Sequence, residues 1–362
     1  MGVILAAILM LSPAGEKNIA TSQNSPEIEK ILELRTTSEK SDELLRLLDR
    51  VGPLEAQEEL LKSGMPFTGE THLLVHTIGD YIYDKEGLDG LQDCRDYFLS
   101  ACYHGFIINA LADHGLEGVA DAIDRCKEAA PGVFPQCSHA AGHGFLAWQD
   151  YDLTKALEMC DTLGESVEDF AYFNCYDGTF MENMWGIHSG APSEKRWVSE
   201  TDIYYPCTDK RISEKYLGGC WSNQATLIYQ HYKGDLRKTA LACDEVVNDQ
   251  YKGLCYNNLF RQIHPMTNGD IDKVFSMCSV STGKSWQDEC VLTNMISYWS
   301  VGDHELPFEI CDAILNSEIK SSCFDRLVGV IGYTFGREPE EKRLACEKIS
   351  SSTHKERCLR ES

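Results

Sequence analysis

The sequence predicts an all-α fold: an α-solenoid of about eight helix-hairpin repeats, each stapled by an intra-repeat disulfide, behind an N-terminal helical cap. Three features predict it. Cysteines recur with a near-constant period, an amphipathic segment leads up to the first cysteine of most pairs, and a more apolar segment starts at the second.

The sixteen cysteines are Cys94, Cys102, Cys126, Cys137, Cys160, Cys175, Cys207, Cys220, Cys243, Cys255, Cys278, Cys290, Cys311, Cys323, Cys346 and Cys358. In chain order they make eight pairs, and the last four pairs share a separation of 12. The first member of each pair follows the previous one by 32, 34, 47, 36, 35, 33 and 35 residues, a period that marks stacked repeats. An even count at regular spacing signals a disulfide framework, and with it an oxidising compartment. No CxxC occurs, which removes the usual signature of a cysteine-ligated zinc site or a thioredoxin-like pair. Bonding between sequential neighbours is favoured, with nested or inter-repeat pairing as the alternative that the sequence leaves open.

Aligned on the first cysteine, "DLTKALEMCDTL", "DLRKTALACDEV" and "DIDKVFSMCSV" open on an acidic residue and space apolar residues three and four apart, as an amphipathic helix does. Aligned on the second, "CYHGFIINAL", "CSHAAGHGFLAW", "CYDGTFMENMW" and "CWSNQATLIYQ" read as a more apolar helix B. Such a hairpin cannot bury its apolar face alone, so stacking is required, and closing a loop of about 15 residues adds roughly 3 kcal/mol. In period and cysteine placement the chain resembles the TPR and Sel1-like helical repeats, especially their cysteine-rich secreted members, in which each repeat carries its own disulfide. The resemblance covers Asp93 to the C-terminus and implies the stacked-hairpin architecture.

Upstream, residues 26–65 read as a cap of three short helices, with Ser41 and Pro53 as starts and Gly52 and Gly64 as stops. Residues 1–25 read as a leader and polar linker: the apolar run Val3 to Leu11 is too short to span a bilayer, which takes about 20 residues, and fits a secretory signal cleaved after Ala14. The expected location is secreted, periplasmic or otherwise extracytoplasmic, with no integral membrane span after cleavage. A formal net charge of -24 argues against nucleic acid as a partner and fits cationic ligands, metal ions or basic proteins.

The histidines carry the functional reading. Counted from the helix B cysteine, His104 stands two after Cys102, His139 and His143 stand two and six after Cys137, and Asp177 stands two after Cys175. The helix "ETHLLVHTIGDYI" joins the frame if Glu70 takes the cysteine slot, giving His72 and His76 the same two positions. Positions i and i+4 share a helix face and stacking sets equivalent positions side by side, so these six residues are expected to line one wall within residues 66–185. Imidazole and carboxylate together suit a divalent transition metal: Fe, Cu, Zn or Mn.

Glu182, beyond Asp177, is placed as a ligand or general base, and Asp177 and Glu182 are the candidate catalytic pair. Gly105, Gly142, Gly144 and Gly178 beside the stripe signal close backbone approach or room for a ligand. The insertion at 186–206, with Trp197, Tyr204 and Tyr205, is either a lid over the histidines or an ordinary loop ahead of the C-terminal repeats at 207–362. Adjacent helices stand about 8–10 Å apart, so the six residues form one site if the array curves tightly and two smaller ones otherwise. The function expected is an exported metalloprotein, oxidative or hydrolytic if catalytic. The alternative is a non-catalytic scaffold offering its histidine face to a protein, peptide or small molecule.

Overall fold

The computed structural model describes residues 24–65, 68–95, 97–98, 100–129, 134–163, 174–186, 193–335 and 339–360. The expected leader and residues 187–192 of the insertion lie outside them. Among the described residues every regular element is a helix, so the all-α expectation holds.

The cap consists of α1 (Pro26–Glu33), α2 (Thr37–Val51) and α3 (Pro53–Lys62). Its second helix starts four residues before the expected Ser41, because Thr36 and Glu39 form a capping box that satisfies the first free amides. Gly52 and Gly64 sit at φ 82° and 73°, the left-handed region that glycine tolerates, and close α2 and the segment after α3.

Next come α4 (Gly69–Glu86), α5 (Ala101–Ala129), α6 (Phe134–Trp148), α7 (Leu153–Asp161) and α8 (Cys175–Trp185). Gly115, at φ 61° and ψ -147°, bends α5 into the end of one hairpin and the start of the next. The C-terminal part runs through α9 (Leu217–His231), α10 (Leu236–Asp244), α11 (Asp249–Arg261), the short α12 (His264–Thr267), α13 (Ile271–Cys278), α14 (Lys284–Ser300), α15 (Leu306–Ala313), α16 (Ser317–Thr334), α17 (Pro339–Glu347) and α18 (Ser352–Arg360). The B helices α4, α5, α6, α8, α9, α11, α14, α16 and α18 form a file in which each packs on the next. Contacts also close over long distances: Gln136 at the start of α6 donates to Tyr333 of α16 at 2.9 Å, and Leu61 of α3 lies beside Gly302 after α14.

All eight disulfides join sequential neighbours, which resolves the pairing left open above. Each ties a B helix to the segment before it, and their sixteen cysteines account for every thiol in the chain. Eight disulfides point to an oxidising compartment. Among the described residues no helix is long and apolar enough to cross a membrane.

The B helices are not evenly spaced. In α5, a Cβ on Gly105 would stand 2.2 Å from the His76 carbonyl oxygen, and in α8 one on Gly178 would stand 1.9 Å from that of His139. From the facing side, Gly79 would meet the Cys102 oxygen at 2.0 Å and Gly142 the Cys175 oxygen at 2.0 Å. The glycines therefore serve close backbone approach, in reciprocal pairs that lock α4 to α5 and α6 to α8. Both pairs also give the register. His76 is equivalent to His139 and Gly79 to Gly142, so the cysteine slot of α4 is Leu74, one helical turn later than Glu70.

Candidate metal centre

Tight pairing brings five imidazoles into contact. Ring centroids lie 4.9 Å apart for His72 and His76, 4.9 Å for His72 and His104, and 5.3 Å for His76 and His104. His104 also lies 5.2 Å from His143 and 5.5 Å from His139, and these two are 4.8 Å apart. Two triads, His72/His76/His104 and His104/His139/His143, each offer three ring nitrogens within 4.8 Å of one another, and His104 belongs to both. His72 is half-buried and the other four are buried. The structure thus brings together all five histidines singled out in the sequence.

The ring orientations follow from what lies behind them. His143 Nδ1 is 3.1 Å from Glu182 Oε2 and His139 Nδ1 is 3.0 Å from Asp177 Oδ2. His72 Nδ1 is 2.8 Å from the Phe98 carbonyl oxygen. A carbonyl or an ionised carboxylate only accepts, which assigns the proton of His72 and of His143 to Nδ1 and a lone pair to Nε2, while His139 Nδ1 and Asp177 Oδ2 stand at ion-pair distance without the alignment of a hydrogen bond. The inward nitrogens converge: His139 Nε2 and His143 Nε2 are 3.1 Å apart, and His72 Nε2 is 3.1 Å from His104 Nδ1. Each contact has hydrogen-bond length, with the donor set by the tautomer, and a cation held by both facing nitrogens would take the place of that proton. The pattern, with the δ nitrogen on an oxygen acceptor and the ε nitrogen free to ligate, is how metal-binding histidines are commonly oriented.

Asp177 and Glu182 stand behind the histidines rather than among the converging nitrogens. Asp177 Oδ1 accepts from Asn223 Nδ2 at 2.8 Å and from the Ser222 hydroxyl, and Glu182 Oε1 accepts from the Tyr151 hydroxyl. Asp177 is 3 % exposed and Glu182 is fully buried. Two buried carboxylates at one site demand nearby positive charge, and the ion-pair contacts they make here run to His139 and His143. Burial holds the His104 imidazole well below its ordinary pKa, and His72, His143, His76 and His139 push it the same way.

Local backbone is strained where it serves the site. Phe98 and Ser100 lie at φ 54° and 60° in the segment that presents the Phe98 carbonyl to His72. Tyr151 lies at φ 66° in the turn between α6 and α7. The matching turns hold glycine there: Gly234 at 86°, Gly269 at 77° and Gly302 at 89°. A side chain in that conformation costs about 1–2 kcal/mol, and Tyr151 uses it to reach Glu182. Tyr151 was not among the sequence candidates. The signal was present in the parallel strings "DYDL", "KGDL", "NGDI" and "VGDH", where a tyrosine fills a glycine slot.

The described part of the insertion is pinned to the end of α8. Asn183 donates to the Trp197 carbonyl at 2.8 Å and accepts from its amide at 2.7 Å, while the Arg196 guanidinium donates to the Met184 carbonyl. Tyr205 stacks on Trp197, and Tyr204 reaches away to Glu245 beyond α10 at 2.7 Å. No protein-family model, curated protein or solved structure matches this chain, so its chemistry rests on its own residues.

Proposed function

We propose that the chain is an exported metalloprotein whose primary ion is held by ring nitrogens of His104, His139 and His143. Asp177 and Glu182 orient two of these rings and balance the charge of a divalent ion. The observation that carries this reading is the convergence of ring nitrogens of His104, His139 and His143 within 4.8 Å of one another, with a carboxylate oxygen 3.1 Å from His143 Nδ1 and another 3.0 Å from His139 Nδ1. An all-nitrogen ligand set favours Cu or Zn over Mn among the candidate metals. Three protein ligands leave a coordination position open, the arrangement of catalytic rather than structural sites. An ion there supplies Lewis acidity or an activated water, so a metalloenzyme with oxidative or hydrolytic chemistry is the functional class proposed.

Glu182 takes an orienting role in this scheme, since one of its oxygens faces His143 and the other accepts from Tyr151. A cleaved leader and kinship with secreted Sel1-like repeats belong to the same reading. The test is metal content by mass spectrometry on protein exported with its disulfides intact and purified without a histidine tag, beside His139→Ala/His143→Ala. Near-stoichiometric metal that falls in the variant is expected. Protein that stays metal-free after incubation with Zn, Fe, Mn and Cu would overturn the proposal in favour of a binding scaffold.

A further inference from the structure

We propose that His104 bridges two metal ions, its Nδ1 serving an ion held with His72 and His76 and its Nε2 serving the ion held with His139 and His143. This rests on the metal-binding reading above and extends it to a second ion. One ring nitrogen holds one ion, so a residue that belongs to two triads can fill both only by using its two nitrogens. The division is set by geometry: Nδ1 is the atom 3.1 Å from His72 Nε2, which leaves Nε2 for the other triad.

The second position is built rather than left over. The register fixed by the glycine pairs makes His76 equivalent to His139, His104 to Asp177, Asp80 to His143 and Asn109 to Glu182. The first pair of helices therefore keeps a polar rung, Asn109 Nδ2 to Asp80 Oδ1 at 2.6 Å, where the second has His143 and Glu182. It gains His72, one turn earlier, which has no counterpart among the histidines of α6. That residue is aimed at His104 by a backbone carbonyl from a segment held at left-handed φ. The repeat does not ask for a histidine at this position, and a ligand for a second ion accounts for it.

Charge is compatible with two ions. A neutral His104 ring carries one N–H proton; binding of the second ion releases that proton to solvent, and the freed electron pair becomes the second donor. The bridging ring then carries one negative charge beside those of Asp177 and Glu182.

The test uses Cu(II) added to metal-free full-length protein, with bound copper counted by mass spectrometry and electron spin by paramagnetic resonance. All cysteines are in disulfides, so no free thiol competes. The expected result is two coppers per chain with an integrated spin well below two, because a shared imidazole couples the ions magnetically. His72→Ala/His76→Ala should take up one copper with full spin, and His72→Gln/His76→Gln replaces it if the alanine variant does not fold. Two coppers with full, additive spin would overturn the bridge. One copper in the wild type, unchanged in the variant, would overturn the second position while leaving the primary ion in place. No copper at all would overturn both.

Discussion

Gly178→Ala isolates the close approach on which the site depends. The added methyl carbon would stand 1.9 Å from the His139 carbonyl oxygen and 2.8 Å from its carbon. Both are backbone atoms of α6, so no side-chain rotation relieves the clash. Taking 1.9 Å to an ordinary contact of about 3.4 Å moves α8 from α6 by about 1.5 Å. A separation of that size carries the Asp177 carboxylate away from His139 Nδ1, now at 3.0 Å, and beyond ion-pair range of about 4 Å. Overpacking costs about 1–3 kcal/mol, against which better helix propensity returns up to about 1 kcal/mol. The net expectation is a destabilisation of about 1–2 kcal/mol, together with a 10–100-fold loss of metal affinity as the carboxylate loses its grip on the ring. Thermal unfolding followed by far-ultraviolet circular dichroism, and competitive zinc titration, measure the two effects. Gly329→Ala in α16 is the control: nothing lies within 4 Å of its Cβ position, so it should stabilise by up to about 1 kcal/mol and leave affinity alone. If Gly178→Ala behaved like Gly329→Ala, the close approach would not be what assembles the histidines.

Three further expectations follow from other parts of the structure. Tyr151→Phe keeps the buried ring and the left-handed strain and loses the hydroxyl on Glu182, while Tyr151→Gly relieves about 1–2 kcal/mol of strain but empties a core position worth about 3–5 kcal/mol; unfolding curves should therefore rank the phenylalanine variant as the more stable, with metal affinity lowered in both. Cys160→Ala/Cys175→Ala opens a staple of sequence separation 15 and should cost about 3 kcal/mol, read as a lower urea midpoint; an unchanged midpoint would argue against the loop-closure account. Burial holds the His264 and His304 imidazoles below their ordinary pKa, so the unfolded chain takes up these protons first. Their stabilising contribution is complete above about pH 6.5 and is lost as pH falls below it, and His264→Gln/His304→Gln should lose less Tm than wild type between pH 7 and 5.

Much of this was legible in the sequence because the repeat reports itself through cysteine spacing, and a disulfide at a fixed helical position fixes which residues share a face. That is why His104, His139, His143 and Asp177 could be placed on one wall from their distance to a cysteine. Where the cysteine is missing, the register failed: α4 was aligned on Glu70, and only the contacts of Gly79 and Gly105 show that Leu74 occupies that slot. The separate roles of ring and carboxylate were also hidden. Whether Asp177 faces a metal or the back of His139 depends on the distance between α6 and α8, which helix periodicity does not encode.

The same register explains why the site arises where it does. In three successive helix pairs the residue six after the first cysteine slot meets the residue seven after the second: Asp80 with Asn109, His143 with Glu182 at 3.1 Å, and Thr226 with Gln262 at 3.2 Å. The rung is a structural feature of the repeat, a polar contact that is exposed in the first pair, buried in the second and half-buried in the third. The middle pair fills it with an ionisable base and a carboxylate, and gives the carboxylate a tyrosine donor at a position that other turns reserve for glycine. In the third pair the close-approach glycines are absent as well, with Ala225 and Asn258 at the equivalent positions and the Asn258 carboxamide accepting from the Thr226 amide at 2.8 Å. The histidine cluster and tight helix approach therefore fade together along the array. That coincidence is the strongest reason to treat the histidines and the glycines as one device rather than as two independent habits of the repeat.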